Sequence, residues 1–476
     1  MAEKILLECY EKNLNSTEDT ICQNISKEIK WYTIDKDMIT AKLAYLFLGA
    51  ERSSVLPYIA VFLTSVGLTI EDTGTVLSLS YVGITVGSLF WGIMADKTRS
   101  YKTILVILFV SYGAINLAIP LISAKVGWKK LNKCPLETNK TYNATLPEEP
   151  LGHSTQLTLV MSLLFFSSSF FGGSIFTMVD AAVIQKCKIS KRKANFSKQL
   201  LFIAIGFGSA TTISGKVLEI FPNAKVSCYF AVYVVSAVFL FCGCISSLYV
   251  YKGVQMPPKQ VKENIRKDLW KMLKKIDVIF FLSTVLINGI MYSIYLNYFF
   301  LFLKQLNSAN IIIGLTVATG SFSGIIALFF TSWIIKVLYG TFHTMLFSTV
   351  LMSCRFLAFT YLRNSLLVIP LQLILHGCSM SLFLSVKTEH LKIISPKNIL
   401  STMLGMTSSI FFGISMIVGS KIGGSLYEAY GARTLFFCTS TFGFLWSIFL
   451  GTFLILNKYR AKKKLATAAL CKEVLL

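Results

Sequence analysis

The chain has 476 residues, 54% of them hydrophobic and only 14% charged. A soluble domain averages about 45–50% apolar and about 25% charged residues, so a soluble enzyme is all but excluded, as is disorder, because there is ample apolar surface to bury. The 46 Lys and Arg against 23 Asp and Glu give a formal charge of +23, which suggests nucleic acid in a soluble protein but basic cytoplasmic loops in a membrane protein.

Up to about Asp37 the chain is polar and of mixed charge. It lacks the basic and apolar regions of a cleaved signal peptide, so the first spanning helix is expected to act as its own insertion signal. A span needs about 20 mainly apolar residues. Twelve candidates follow, at approximately 40–65, 74–95, 103–124, 156–183, 200–221, 227–250, 278–303, 310–337, 342–362, 366–386, 399–426 and 433–456. The bases lie between these runs, which decides for the membrane reading and against nucleic acid. The expected division is a cytoplasmic tail (1–39), a six-helix bundle (40–250), a basic cytoplasmic linker (251–277), a second six-helix bundle (278–456) and a basic tail (457–476).

Orientation is read from bases near span ends. Lys97, Arg99 and Lys102 lie between spans two and three, and Lys186 to Lys198 between four and five. Lys387, Lys392 and Lys397 are placed between ten and eleven, and Lys458 to Lys464 after twelve. With twelve spans all are on one side, so both termini are expected in the cytoplasm. The long loop at 125–155 falls on the opposite side and carries sequons at Asn139 and Asn143, the expected glycosylation sites. Asn15, Asn24 and Asn195 also head sequons but fall on the cytoplasmic side of this topology. Glycosylation implies the secretory pathway, with the plasma membrane as expected destination.

Span one carries Glu51 and Arg52 near the middle of an apolar run. A charge there costs about 2.5–3.5 kcal/mol by insertion scales, so both groups should face protein or water. Adjacent helical residues diverge, so at least one should have a partner on another helix. Either Glu51 binds a proton or a cationic substrate group while Arg52 or Arg355 receives an anionic or hydroxyl-rich group, or these charges belong to a buried structural ion pair between bundles. Span seven offers Asn288, Tyr292 and Tyr295, and span ten Gln372, His376 and Ser379, each set spaced i, i+4, i+7. Such polar stripes line a cavity or bond to neighbouring helices. The run Ser167 to Ser169 with Gly172 and Gly173 is expected to serve close packing, Lys216 and Glu219 a local pair, and Lys421 to snorkel outward. Most cysteines lie in apolar runs, and neither a metal-binding cluster nor a phosphate-binding loop is present, so no metal, cofactor or enzymatic activity is expected.

After span two the chain reads Gly92-Ile-Met-Ala-Asp96-Lys97-Thr98-Arg99. This resembles the G-x-x-x-D-[RK] signature of the major facilitator superfamily. A glycine permits close helix approach, and a carboxylate at a helix end can pair with bases and latch a gate, so Gly92, Asp96 and Arg99 are the expected gate residues. The corresponding stretch after span eight, Lys336-Val-Leu-Tyr-Gly340, has no acid. Asp72-Thr-Gly74 through Lys102, Val179-Asp180 onward to Phe207, Cys354-Arg355-Phe356 and Leu375-His376-Gly377 are similar to the lactose-permease branch, and Leu371 to Gly377, Ile394-Ser-Pro396 and Gly419 to Gly424 to its animal members.

The resemblance implies two pseudo-symmetric six-helix bundles of an all-α membrane protein. It also implies proton-coupling roles for Arg355 and His376, and a substrate-binding carboxylate at Asp180. Spans one, four, seven and ten are expected to line the cavity. Leu200, Phe207 and Ser379 stand where the branch has its sugar-binding Arg, stacking Trp and exchanging Glu, so galactosides are not expected. The resulting expectation is a monomeric secondary transporter of a small polar or charged organic solute, working by alternating access. Its site would comprise Glu51, Arg52, Asp180, Asn288, Tyr292, Tyr295, Arg355, Gln372 and His376. Proton symport is one option, because Glu51 and His376 are the only midplane titrating groups. A transporter-fold receptor or a lipid flippase is the alternative.

Overall fold

A computed structural model describes residues 38–127, 155–189, 196–221, 229–252, 254, 265–396 and 400–473. All regular structure among them is helical, as required of a chain that must satisfy its backbone hydrogen bonds internally within a bilayer. Span one covers Ile39–Val66 and is interrupted by one tight turn at Leu56–Tyr58, where Pro57 removes a backbone donor. Spans two to six are Ile70–Thr98, Tyr101–Gly127, Thr155–Ile189, Phe196–Ile220 and Phe230–Val250. A short helix, Ile265–Leu273, lies in the linker. Spans seven to ten are Ile276–Gln305, Asn310–Val337, Thr341–Thr360 and Ser365–Ile394.

The last helical stretch, residues 400–473, is two helices rather than one. Gly431 within it has φ 81° and ψ 166°, a backbone conformation open essentially only to glycine. Spans eleven and twelve are therefore 400–430 and 432–473, which completes twelve spans.

In the first bundle span one packs on five and six, span four on two and three, and span three on six. In the second, span seven packs on eleven, nine on ten and twelve, and eight on ten. Spans five and eight form one seam between the bundles, and spans two and eleven the other. Small residues make the closest approaches. A Cβ at Gly206 in span five would overlap the Leu46 carbonyl oxygen in span one and lie 2.8 Å from the Ala50 nitrogen.

The hydrogen bonds joining the bundles cluster between the midplane and the end that carries Glu71 and Glu428. Tyr81 Oη donates to Asn297 Oδ1 at 3.1 Å, Ser78 Oγ to the Ile417 carbonyl at 3.0 Å, and Tyr58 Oη to the Asn310 carbonyl at 3.3 Å. At the opposite end, which carries Arg99, a Cβ at Gly92 or Gly405 would meet nothing within 4 Å.

One lysine departs from expectation. Lys387 was placed in the loop after span ten, but the helix continues to Ile394 and leaves Lys387 only 6% exposed. Its Nζ lies 4.8 Å and 5.7 Å from the ring centres of Phe411 and Phe412, whose faces attract a cation held away from water. Lys421 is exposed at the Glu71 end. Its Nζ pairs with Glu71 Oε1 at 3.0 Å and donates to Thr75 Oγ1 at 2.9 Å across the bundle seam. Asn139, Asn143, Asn15, Asn24, Asn195, the tail before Met38 and much of the linker lie outside the described residues.

Candidate functional site

The divergence expected of adjacent helical residues is realised at Glu51 and Arg52. Glu51 is 4% exposed and turns towards spans three and six. Tyr112 Oη donates to its Oε1 at 2.7 Å and Ser236 Oγ at 3.3 Å. Arg52 turns towards span four, its guanidinium 5.5 Å from the centre of the Phe176 ring. Among the described residues Arg52 makes no ion pair, so its donors are open to a ligand.

Both side chains line a small cavity walled by spans one, two, three, four and six, with Asn297 from span seven. Its polar wall comprises Glu51, Arg52, Ser80, Tyr81, Tyr112, Asn116, Ser168, Ser169, Tyr233 and Asn297. Ser168 Oγ donates to Asn116 Oδ1 at 2.9 Å, while Ser80 and Ser169 share a 2.6 Å hydrogen bond. The expected packing role of the Ser-Ser-Ser and Gly-Gly runs is met as well, because a Cβ at Gly172 would lie 2.5 Å from the Tyr112 ring. These glycines let span four approach Tyr112, which itself holds Glu51.

A second polar cluster sits in the other bundle. Arg355 is fully buried, yet among the described residues it too makes no ion pair. Its Nη2 donates to Gln372 Oε1 at 2.6 Å, and its guanidinium lies 4.0 Å from the Tyr295 ring centre. Gln372 Nε2 donates to Tyr295 Oη at 3.3 Å. The His376 ring lies 6.0 Å from that of Tyr295, with its Nδ1 buried and, among the described residues, without a hydrogen-bond partner. Span ten switches to a single π-helical turn, Gly377–Ser381, directly after His376. Such turns recur at functional positions because they re-aim side chains within a helix. A second one, Ile410–Ile414, holds the rings that face Lys387.

The two clusters are joined by span seven, whose Asn297 reaches the first cavity through its bond to Tyr81 and whose Tyr292 ring lies 6.3 Å from that of Tyr295. The structure therefore brings together Glu51, Arg52, Tyr292, Tyr295, Arg355, Gln372 and His376. Two expected members stand apart. Asn288 donates to the Thr284 carbonyl and to Thr349 Oγ1 of span nine, each at 2.9 Å, so its amide bonds to a neighbouring helix and not to the cavity. Asp180 accepts a 2.5 Å hydrogen bond from Tyr45 Oη and lies roughly 16 Å along span four from Ser169 at 1.5 Å per residue.

At the Arg99 end, Arg99 closes span two in the left-handed conformation with φ 58°, and Asp96 lies in the helix's last turn. Gly92 makes no close helix approach here, contrary to the role expected of it, because nothing faces it within 4 Å.

Several wall residues were not anticipated. Ser80 and Tyr81 lie side by side in span two, Tyr112 is one turn from Asn116 in span three, and only Tyr233 is flanked by apolar residues on both sides. Asn116 carries a signal that sequence reasoning passed over: an amide in the middle of an apolar run is costly unless partnered.

Comparisons with known proteins agree with this architecture. The model of the MFS_1 like family matches residues 38–438. A protein of Bacillus subtilis (strain 168), described as the uncharacterized transporter YwbF, is 21% identical over 387 residues, covering 81% of this chain and 85% of that protein. The crystal structure of the nucleoside transporter NupG superposes with a TM-score of 0.66 at 14% identity, covering 88% of this chain and 99% of that one. Tetrameric PepTSo2 superposes with a TM-score of 0.59 at 12% identity, covering 89% and 98%.

Proposed function

The chain belongs to the MFS_1 like family of membrane transporters, and from that premise we propose that it is a secondary active transporter of a small organic solute that carries an anionic group. The observation that carries this reading is the charge balance of the midplane. Among the described residues neither Arg52 nor Arg355 makes an ion pair, and Glu51, held by Tyr112 and Ser236 in the same wall as Arg52, offsets only one of the two charges. A buried cation is costly unless paired, so a solute anion placed near Tyr292 supplies the countercharge that the side chains do not. The hydroxyl and amide wall of the first bundle suits a solute that also carries hydroxyl or carbonyl groups.

The two bundles, 40–250 and 278–456, are the rocking units of this mechanism, with the site between them. Under the topology drawn from the basic loops, the Glu71 end is outside and the closed seams describe a carrier open to the cytoplasm. Glu51 is the proposed proton carrier if transport is coupled. It lies in the cavity wall, and protonation would leave Tyr112 and Ser236 as partners of a neutral acid.

The test is uptake into proteoliposomes holding the purified chain, with a panel of small carboxylates, phosphates, nucleosides and short peptides, at several pH values. Expected is saturable uptake of an anionic member, abolished by Arg52→Met, with the pH dependence lost in Glu51→Gln. Uptake restricted to cations or neutral solutes overturns the charge argument. One observation favours a receptor on this fold instead: the half-repeat after span eight lacks the acid of the gate motif. Binding of a panel member without movement under any gradient would decide for it.

A further inference from the structure

The two seams between the bundles repeat each other residue by residue at the Glu71 end. Span one ends in left-handed Gly67 (φ 109°) and span seven is followed by left-handed Asn307 (φ 55°). Three residues on, spans two and eight begin at Ile70 and Asn310. The fifth residue of each is a glycine, Gly74 or Gly314, packed onto backbone atoms of the opposite bundle. The helices that cross them carry a shared spacing, Gly215-x-x-x-Glu219 in span five and Gly424-x-x-x-Glu428 in span eleven. A Cβ at Gly215 would lie 2.6 Å from the Asn310 carbonyl oxygen, and one at Gly424 would lie 3.0 Å from that of Ile70.

The glutamates complete the repeat. Glu428 Oε2 accepts from the backbone N–H of Glu71 at 2.6 Å, and Glu219 Oε1 accepts from the backbone N–H of Ile311 at 3.1 Å. Both amides belong to the second residue of their helix. A helix cannot satisfy its own first amides, and a carboxylate there gains from both the hydrogen bond and the positive end of the helix dipole. Span eight starts after Ala309, whose side chain offers no cap. The cap it lacks is provided by the other bundle.

We propose that Glu219 and Glu428 are a matched pair of helix caps donated across the bundle interface, and that together they hold this end of the molecule shut. The inference rests on the transporter reading only for the motion restrained: rocking the bundles apart at this end must break both caps in one step. The seams are not equal in strength. At the second, Lys421 Nζ and Ser425 Oγ also hold Glu71 Oε1, at 3.0 Å and 3.1 Å. At the first, Glu219 pairs with the Lys216 ammonium of its own helix, at 3.4 Å, which adds nothing across the interface.

Hydrogen–deuterium exchange of the full-length chain in detergent reads the caps directly, because each capped amide has no partner within its own helix. In Glu219→Ala the segment 310–314 is expected to exchange about tenfold faster, the scale of about 1.4 kcal/mol, and 70–74 on the other seam should quicken with it. Glu428→Ala should act reciprocally and more strongly. Glu219→Gln and Glu428→Gln keep a carbonyl acceptor without the charge, should fall between, and carry the same comparison if an alanine variant does not fold. Unchanged exchange at the mutated seam overturns the caps. Faster exchange at the mutated seam alone overturns the shared latch. Neither readout depends on transport, so a chain that moves no solute but couples its two seams refutes the transporter and leaves the latch standing.

Discussion

The guanidinium of Arg355 sits over Tyr295, 4.0 Å from its ring centre, and both side chains hydrogen-bond to Gln372. No carboxylate shares this cluster among the described residues, so the cation is held by the ring faces of Tyr295 and Phe359, the Gln372 amide and the Met352 sulfur. Arg355→Met removes the desolvation cost of a buried charge but leaves Gln372 Oε1 without its donor, and the two effects oppose each other. Arg355→Met is therefore expected to move the melting temperature little while lowering solute uptake about a hundredfold, from about 3 kcal/mol for a hydrogen bond to a charged group. Arg355→Lys should not restore uptake, because an ammonium neither stacks on the ring nor forks to an anion. A variant that unfolds yet transports normally in its folded fraction would assign Arg355 to structure alone.

Tyr112 supplies the shorter of the two hydrogen bonds that hold Glu51. Tyr112→Phe should cost about 1.5–3 kcal/mol of stability, since the lost bond ends on a charged acceptor. In a Glu51→Gln background the same change should cost at least about 1 kcal/mol less, a coupling that a double-mutant cycle by denaturant unfolding in detergent measures. Equal costs in the two backgrounds would mean that Tyr112 acts only through packing against Gly172.

Much of this fold is legible in the sequence because a bilayer leaves few choices. Long apolar runs must be helices, and the basic linker separates six from six. The midplane charges Glu51, Arg52 and Arg355 stand out for the same reason: each is expensive in its setting and must be accommodated. Two things were hidden. Partner identity depends on which faces meet, so the stripe from Asn288 to Tyr295 splits in the structure, its first member turning to Thr349 and its last to Arg355. The distinction between span and loop also fails at Lys387, where a base expected to mark the water side is buried against Phe411.

The topology makes a biochemical prediction at residues outside the described structure. Expressed in a glycosylating host, the chain should show a mass shift on glycosidase treatment that disappears in the Asn139→Gln/Asn143→Gln double variant. Any shift left in that variant would place Asn15, Asn24 or Asn195 on the lumenal side and reverse the assigned orientation, and with it the statement that the Glu71 end faces outward.

Gly206 and Gly92 separate a glycine that packs in this state from one that does not. A Cβ at Gly206 would meet the span-one backbone at Leu46 and Ala50, whereas one at Gly92 meets nothing within 4 Å. Gly206→Ala must push spans one and five apart, moving Glu51 and Arg52 with span one. It should destabilise by about 1–3 kcal/mol, the usual cost of overpacking, and lower uptake as well. Gly92→Ala should change stability by less than about 0.5 kcal/mol, as expected for a surface position away from such contacts. Gly92 opens space at the end that must close when the bundles rock, so its variant should bind solute normally but cycle slowly: affinity unchanged, with the maximal uptake rate reduced. If both variants lowered stability equally, the Arg99 end would already be closed in the resting protein, and the cavity beside Arg52 would have to fill from the Glu71 end.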